Sequence, residues 1–328
     1  MSISDKLQRR WYEERPPPWG TVPAAALYGA IVRIRRFAYR HGWLRSERQP
    51  VPVIVVGNIT AGGAGKTPLV IALVDALRER GLHPGVVSRG YGGCASTPML
   101  LDDAPDPRVT GDEPALIRLR THAPVAIGRD RPAAAALLRD RDVDVIVADD
   151  GLQHYALARD IEICVIDGER GFGNGRLLPA GPLREPESRL REIDFVVRNG
   201  GEAAGGDVPM RLQAGQAYLL RDPSRHKPLA SFAGVRVHAI AGIAHPARFF
   251  DMLRGSGLEV IEHAFPDHHA YVATDIEFGD ALPVLMTEKD AVKCRTFACG
   301  ADWVVPVDAI LPTSLFDAIA ARLARTRA

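Results

Sequence analysis

Cysteine is scarce in this chain of 328 residues, and the four present (Cys94, Cys164, Cys294 and Cys299) are scattered and form no CxxC pair. That excludes a disulfide framework and a structural zinc site, and it suits a reducing compartment. An excess of one charge is also missing. The formal net charge is +1, which argues against a general nucleic-acid binder. No apolar run reaches the length of a membrane span, and no signal peptide is recognisable at the start. The 46% apolar and 25% charged fractions are those of an ordinary soluble protein. The length predicts about two domains, with enough chain to bury a full α/β core.

What is present is concentrated first in Val53 to Pro68, VIVVGNITAGGAGKTP. Val53 to Val56 is a short, continuous β-branched run, the pattern of a buried parallel strand. A glycine-rich turn follows. Lys66-Thr67 then opens a segment with Leu69, Leu73, Ala76 and Leu77 at helical spacing, and Pro68 sits in the first turn, where its missing N–H costs nothing. Glycines let backbone N–H groups converge, the helix N-terminus adds unpaired donors, and a Lys-Thr pair supplies a phosphate contact and a metal-binding hydroxyl. Thr60, Ala61, Gly62, Gly63, Ala64, Gly65, Lys66 and Thr67 are therefore the expected nucleotide cradle. The strict G-x-x-x-x-G-K-[ST] pattern fails at its first glycine, where Thr60 stands; Gly62-Gly63 supplies the flexibility instead.

The first 48 residues differ from the rest. They carry ten basic residues (Lys6, Arg9, Arg10, Arg15, Arg33, Arg35, Arg36, Arg40, Arg45, Arg48) against four acids (Asp5, Glu13, Glu14, Glu47). Arg15-Pro16-Pro17-Pro18-Trp19 reads as a stiff spacer. Pro23 to Leu44 reads as a helix with Leu27, Ile31, Ile34 and Ala38 at helical spacing and Arg33, Arg36 and Arg40 on another face. Such a helix fits either a membrane surface or the protein's own core with a solvated basic face.

From Val51 to about Arg198, apolar runs at 53–56, 85–87, 124–127, 143–148, 161–166 and 194–197 alternate with helical stretches at 67–80, 112–120 and 131–140. The alternation predicts βαβ units and a parallel sheet covered on both faces, with ligands beyond the carboxyl ends of the strands. The residues that follow the runs suit that place. Ser88-Arg89-Gly90-Tyr91 makes a flexible loop. Asp112 and Glu113 lie together at a helix start, where capping alone accounts for one acid. Arg129 and Arg131 suit phosphate recognition. Asp149 and Asp150 end an apolar strand in the arrangement that holds Mg²⁺ opposite a P-loop threonine. Residues 168–188 form a long Gly/Pro/Arg loop containing Arg176 and Arg184, a length that signals function. A Gly-rich polar stretch from Gly200 to Asp207 marks a boundary. Beyond it, runs at 235–240, 258–263, 283–287 and 303–307 with helices at 246–254, 288–296 and 313–326 read as a smaller α/β domain. Its unusual feature is Phe265-Pro266-Asp267-His268-His269, in which either histidine is a candidate or both are solvated. Thr287-Glu288-Lys289-Asp290 fits a helix cap. The expected division is a basic surface helix at 1–48, a P-loop NTPase-like parallel-sheet domain at 49–205, and a smaller α/β domain at 206–328.

Seven stretches, in order VGNITAGGAGKTP, SRGYGG, GDEP, ADDGLQH, GFGNGRLLPAGPLRE, FPDHH and TEKDAVKC, together resemble the tetraacyldisaccharide 4'-kinase family, the lipid A 4'-kinases of Gram-negative bacteria. The resemblance spans nearly the whole chain, and DDGLQH followed by GNGRLLPAGPLRE is far more specific than a P-loop. It implies ATP-dependent phosphorylation of the 4'-hydroxyl of a tetraacylated glucosamine disaccharide 1-phosphate to give lipid IVA. It also implies a peripheral place on the cytoplasmic face of the inner membrane through the N-terminal helix. Carried onto matching motifs, it implies Lys66 in the P-loop, Asp112 as the catalytic base with Glu113 near the metal, Asp149 and Asp150 as the acids of DDGLQH, and His268 as partner of Asp112. Active-site arginines fall on Arg131 and Arg184. Mg²⁺ would then rest on Thr67, Glu113, Asp149 and Asp150.

Two readings from other classes compete with this one. A membrane-cycling P-loop switch ATPase would carry a signature lysine directly before Gly-Gly, where this chain has Ala61. A nucleotide-dependent binding module would need no Asp112–His268 pairing at all.

Overall fold

The computed structural model describes residues 10–13, 16–202, 205–297 and 300–327. Sequence readings on Asp5, Lys6, Arg9, Glu14, Arg15 and Cys299 lie outside them. Two sheets carry the architecture. The larger has nine strands in the order β15-β8-β7-β6-β1-β5-β2-β4-β3: β1 Val53–Gly57, β2 Pro84–Ser88, β3 Met99–Leu100, β4 Val125–Ile127, β5 Val145–Asp149, β6 Ile161–Asp167, β7 Phe195–Asn199, β8 Val208–Ala214 and β15 Val307–Ile310. From β8 to β4 the pairings are parallel; only the edge strands β15 and β3 run antiparallel. Strand β1 lies centrally between β5 and β6, so its carboxyl end opens where the chain's path reverses across the sheet, the usual ligand position in such folds.

Alternation along β1 divides the core. Ile54 and Val56 join a cluster with Leu69, Leu73 and Leu77 of helix Lys66–Glu79 and with Ile117 of helix Asp112–Thr121. Val53 and Val55 join the opposite cluster with Ala134, Leu138, Leu152 and Leu183. Both faces of the sheet are thus covered, as the unbroken apolar runs require.

The smaller sheet has the order β10-β9-β14-β13-β11-β12, from β9 Ala217–Leu219, β10 Asp222–Lys227, β11 Arg236–Ala241, β12 Glu259–Ala264, β13 Val284–Thr287 and β14 Asp302–Val305. Its parallel strands are β12, β11, β13 and β14. The sheets partition the chain differently from a division at residue 205. Strands β8 and β15 extend the larger sheet from beyond that point, and helix Thr313–Arg327 packs Leu315, Ile319 and Leu323 into the P-loop side of the larger core. The smaller sheet is therefore an insertion between Ala214 and Val307. Both crossings sit side by side, with the Gly215 N–H donating to the Pro306 carbonyl at 2.9 Å. The Gly200–Asp207 stretch joins two strands of one sheet, so its composition marks a loop and not the crossing. Strands β3, β8, β9, β10 and β15 have no counterpart in the sequence reading. They are short or polar strands at or next to a sheet edge, without the continuous apolar run on which that reading relies.

Helix Thr21–Arg40 lies against the 168–188 loop through small residues. Ala25, Gly29 and Ala38 are buried, and a Cβ on Gly29 would come within 2.8 Å of Leu177 Cδ1. The long apolar residues face outward instead: Leu27, Ile31 and Ile34 are 65%, 55% and 67% exposed. Among the described residues, no helix is long and apolar enough to cross a membrane.

Candidate active site

The P-loop leaves β1 at Gly57 and enters its helix at Lys66. Gly65 has φ +92°, and a Cβ there would approach Asn199 Nδ2 to 2.6 Å, so both conformation and space demand glycine. The turn is braced from outside itself. Asn58 Nδ2 donates to the Gly62 carbonyl at 3.3 Å, an Arg170 guanidinium nitrogen to the Gly63 carbonyl at 2.7 Å, and Asn199 Nδ2 to the Ala64 carbonyl at 3.2 Å. With its carbonyls held outward in this way, the turn's N–H groups are left for an anion. Thr60 departs from the common pattern for a visible reason. Its backbone pairs antiparallel with Leu183, while Ala61 N–H donates to the Pro182 carbonyl and Arg184 N–H to the Ile59 carbonyl, both at 2.7 Å. Extended backbone at Thr60 needs no glycine.

The same pairing brings the long loop's Arg184 to the P-loop. Arg184 reaches Asp150 at 3.0 Å, and Lys66 Nζ lies 3.5 Å from the same carboxylate. Burial works against ionising Asp150, but Lys66 and Arg184 outweigh it and hold the carboxyl well below the usual range. Asp150 also adopts φ +47°, a strained backbone for a non-glycine residue and one that clusters at functional sites.

Asp149, at the end of β5, is in the opposite state. It is 1% exposed. Its Oδ2 accepts from Ser88 Oγ at 3.0 Å, while its Oδ1 is buried with no partner. Burial, with Glu113 and Asp150 nearby, raises its pKa. A buried orphaned carboxylate oxygen amid other carboxylates is the environment a divalent cation would relieve. Among the described residues no three His, Cys, Asp or Glu side chains converge tightly enough to hold an ion unaided.

Asp112 begins its helix behind Gly111, whose φ is +86° and whose added Cβ would meet the Tyr91 carbonyl at 2.4 Å. Gly111 is the N-cap, so Asp112 is no capping residue. Its carboxylate is 4% exposed and faces the smaller sheet. His268 Nδ1 lies 3.0 Å from both carboxylate oxygens, and Lys293 and Lys289 ammonium groups lie at 3.7 and 3.9 Å. Burial raises the Asp112 pKa; the His268 hydrogen bond and the two lysines lower it further, and the net direction is down. Burial likewise lowers the His268 pKa, the Asp112 bond raises it, and the net direction is up. His268 has φ +61° and sits edge-on to Tyr91, centroids 5.0 Å apart. His269 points elsewhere, pairing with Asp275 at 2.9 Å and stacking on Phe265. Of the two histidines, it is His268 that meets Asp112.

Arg131 differs from the expected phosphate-facing arginine. It is 1% exposed, and it donates to the backbone carbonyls of Gly128 at 2.7 Å and Asp149 at 3.3 Å. Burial pushes its pKa down to about 10. In this arrangement it braces the end of β5 from behind, while Arg129 is exposed.

Lys289 and Lys293 lie in a segment that the sequence explains as a helix cap alone. The cap is there: Asp290 N–H donates to Thr287 Oγ1 at 3.2 Å. Yet the same short helix, Glu288–Cys294, turns two lysines four residues apart toward Asp112. Lys289 also reaches Asp267 at 3.0 Å and Glu113 at 3.3 Å. The i,i+4 lysines in TEKDAVKC were the available signal.

Two facing walls result. Lys66, Thr67, Asp149, Asp150, Arg184, Asp112 and Glu113 come from the carboxyl side of the larger sheet. His268, Asp267 and Lys289 follow β12 and β13 of the smaller one. Such an arrangement can bind a nucleotide's phosphates on one side and ionise a hydroxyl between the two.

Comparison with known proteins identifies the family and the fold. Residues 18–324 match the model of the family described as tetraacyldisaccharide-1-P 4'-kinase. A tetraacyldisaccharide 4'-kinase of Stenotrophomonas maltophilia is 54% identical over 329 residues, covering 97% of this chain and 96% of that protein. One from Xanthomonas campestris pv. campestris is 51% identical over 331 residues, covering 95% and 94%. Among solved structures, LpxK from Aquifex aeolicus in complex with ATP superposes with a TM-score of 0.78 at 29% identity, covering 92% of this chain and 98% of that one.

Proposed function

The chain belongs to the tetraacyldisaccharide-1-P 4'-kinase family, and from that premise we infer that its P-loop takes ATP while the Asp112–His268 pair activates the 4'-hydroxyl of a tetraacylated glucosamine disaccharide 1-phosphate. The observation that carries this reading is the 3.0 Å contact between Asp112 and His268. A buried carboxylate of the nucleotide-binding sheet meets a strained histidine of the inserted one, close to an intact P-loop. A binding module would have no use for that pairing.

Phosphoryl transfer asks for positioning and charge neutralisation more than covalent chemistry. The N–H groups of residues 62–67 hold the phosphates. Lys66 and Arg184, now parked on Asp150, swing to the transferring group as it arrives. Asp112, kept ionised by its neighbours, accepts the hydroxyl proton, and His268 orients that carboxylate and shares the proton. Lys289 holds Asp267 and Glu113 beside the pair. Arg131 contributes by fixing the backbone of Asp149. Thr67, Asp149, Asp150 and Glu113 are the residues that would hold Mg²⁺. Bound there with the nucleotide, it would supply positive charge to offset that of the phosphates.

The acceptor's lipid character fits the N-terminal helix. Leu27, Ile31 and Ile34 form an exposed apolar stripe, with Trp19 and Trp43 exposed at either end and arginines on the flank. Such a helix lies in a membrane interface and does not cross it. An apolar cleft of about 410 Å³ between this helix and the long loop, lined by Val22, Ala25, Leu177 and Leu183, begins one residue from Arg184. It suits acyl chains entering beside the phosphate site. These features fit a membrane surface, and the family resemblance implies that it is the cytoplasmic face of the inner membrane.

The test is ATP-dependent transfer of γ-phosphate to the disaccharide lipid by the purified protein with Mg²⁺. ATP hydrolysis that the lipid does not accelerate, with no phosphorylated lipid formed, would refute the reading.

A further inference from the structure

The N-terminal helix is bound to the phosphate site by more than surface contact. The Tyr28 hydroxyl donates to the backbone carbonyl of Arg184 at 3.0 Å. One residue on, Glu185 is 1% exposed and serves as a meeting point. Its Oε2 accepts from Gln153 Nε2 at 3.0 Å, and its Oε1 accepts from the Tyr155 hydroxyl. Arg36 of the helix lies 3.8 Å away and Arg189 lies 4.0 Å away. Gln153 also donates to the Asn58 carbonyl at 3.0 Å, and Asn58 in turn holds Gly62 of the P-loop. Arg36 and Arg40 anchor the helix further along, on Glu192, at 2.8 and 3.3 Å. A continuous chain of polar contacts thus runs from the helix, through Arg184-Glu185, to the backbone of the phosphate cradle.

We propose that Tyr28 and Glu185 are positioning residues for the transfer step, fixing the Arg184 segment against the P-loop, so that the N-terminal helix forms one wall of the active site as well as an anchor. The proposal rests on the reading of Arg184 as a contact to the transferring phosphate. A helix that only anchored would need its outward apolar stripe and a packing face. It would have no use for a hydroxyl on an active-site carbonyl or for a buried carboxylate shared between its own arginine and the P-loop's support. Small residues at the packing face bring the backbone of the helix close enough for Tyr28 to reach. The outward stripe and the inward hydrogen bonds belong to opposite sides of the same twenty-residue helix, so its seating and the geometry of Arg184 are mechanically one.

Steady-state kinetics of wild type, Tyr28→Phe, Arg184→Ala and the double variant, in detergent micelles of the lipid acceptor, test this. Tyr28→Phe removes one oxygen atom and leaves the ring packing. It should lower kcat roughly fivefold, the worth of one ordinary hydrogen bond, with the lipid KM and sedimentation on anionic vesicles unchanged. Combined with Arg184→Ala it should add nothing, because the group it positions is gone. Glu185→Gln gives a second arm, lowering kcat alone and adding nothing to Arg184→Ala. Multiplicative losses in the double variants, or a Tyr28→Phe defect confined to lipid KM and vesicle binding, overturn the proposal while leaving the function intact. An Arg184→Ala enzyme at wild-type rate removes the underlying reading, and the proposal with it.

Discussion

Asp112→Asn isolates the proton-accepting role from everything else the carboxylate does. The amide keeps the side chain's size and can still accept from Glu113 N–H, now bonded to Oδ1 at 3.0 Å. It cannot take a proton. The lysines that face Asp112 are not orphaned, since Lys289 retains Glu113 and Asp267 and Lys293 retains Asp290 at 3.2 Å. The fold should therefore survive, with a loss of about 1–3 kcal/mol from the weakened His268 contact. Turnover should fall by roughly 10²–10⁴, the range for one general base, which is about 3–5 kcal/mol in barrier height. The P-loop is untouched, so ATP affinity by calorimetry should stay within about twofold. A variant retaining more than about a tenth of wild-type kcat would mean the base is another group. The pH profile gives an independent check. With the Asp112 pKa lowered, the acid limb of kcat/KM should fall below the ordinary carboxylate range and vanish in Asp112→Asn. Stability follows by linkage. The Asp112 share is present above its unfolded pKa of about 4 and lost as pH falls through the lower folded value. The His268 share is fully present below about 6.5 and lost as pH rises through its raised folded value. The stability gap between wild type and His268→Ala should therefore narrow from about pH 6 to pH 9 in urea titrations. A constant gap would show that the ion pair is not what holds them together.

Three other outcomes can be measured directly. Gly111→Ala places a Cβ 2.4 Å from the Tyr91 carbonyl at φ +86°; it should cost about 2 kcal/mol or more in urea unfolding and reduce kcat by tilting Asp112. Asp149→Asn should raise stability in metal-free buffer by about 1 kcal/mol, because it removes a buried charge with an unpaired oxygen, while raising the Mg²⁺ concentration needed for half-maximal rate; a destabilised variant with normal Mg²⁺ dependence would contradict the site's charge balance. Replacing Leu27, Ile31 and Ile34 together by Ser should reduce sedimentation with anionic vesicles at least tenfold, since each removes on the order of 1–2 kcal/mol of apolar transfer, and should leave the melting temperature unchanged because all three already face solvent.

Much of the larger sheet was legible because its central strands are buried on both faces and announce themselves as apolar runs, with their functional residues directly after them. Asp149 and Lys66 were visible for that reason, and Asp112 because capping alone accounts for only one of the two acids at its helix start. The two-histidine loop was visible as an anomaly, but one sequence cannot say which ring turns inward; positive φ at His268 and the Phe265 stack of His269 decide it, and both are tertiary facts. Arg131 is placed differently from what its position after a strand suggests. An arginine after a strand looks like an anion contact, whereas here the nearest acceptors for its buried guanidinium are two carbonyl oxygens. The lysines after β13 were hidden behind a correct local explanation, since a helix cap and the ammonium groups that face Asp112 share the same few residues. The N-terminal helix left two faces in competition. Its small residues, Ala25, Gly29 and Ala38, give the close approach, and the larger apolar residues that draw attention in sequence are the ones turned away.

The placement of β8, β15 and the final helix around the inserted sheet has a consequence for how the protein is made. The chain emerges from the ribosome in order, and the P-loop is complete before residue 70. Its sheet, however, ends in β15, at the other side of the insertion, and its core takes Leu315, Ile319 and Leu323 from the last helix. The nucleotide-binding half therefore stays open at one edge until the acceptor-side half has been synthesised and its two ends have come together at Gly215 and Pro306. A fragment that stops short of residue 307 has the phosphate cradle but neither its outer strand nor its cover helix. The order of the chain thus makes closure of the larger sheet's core wait on completion of the half that supplies His268.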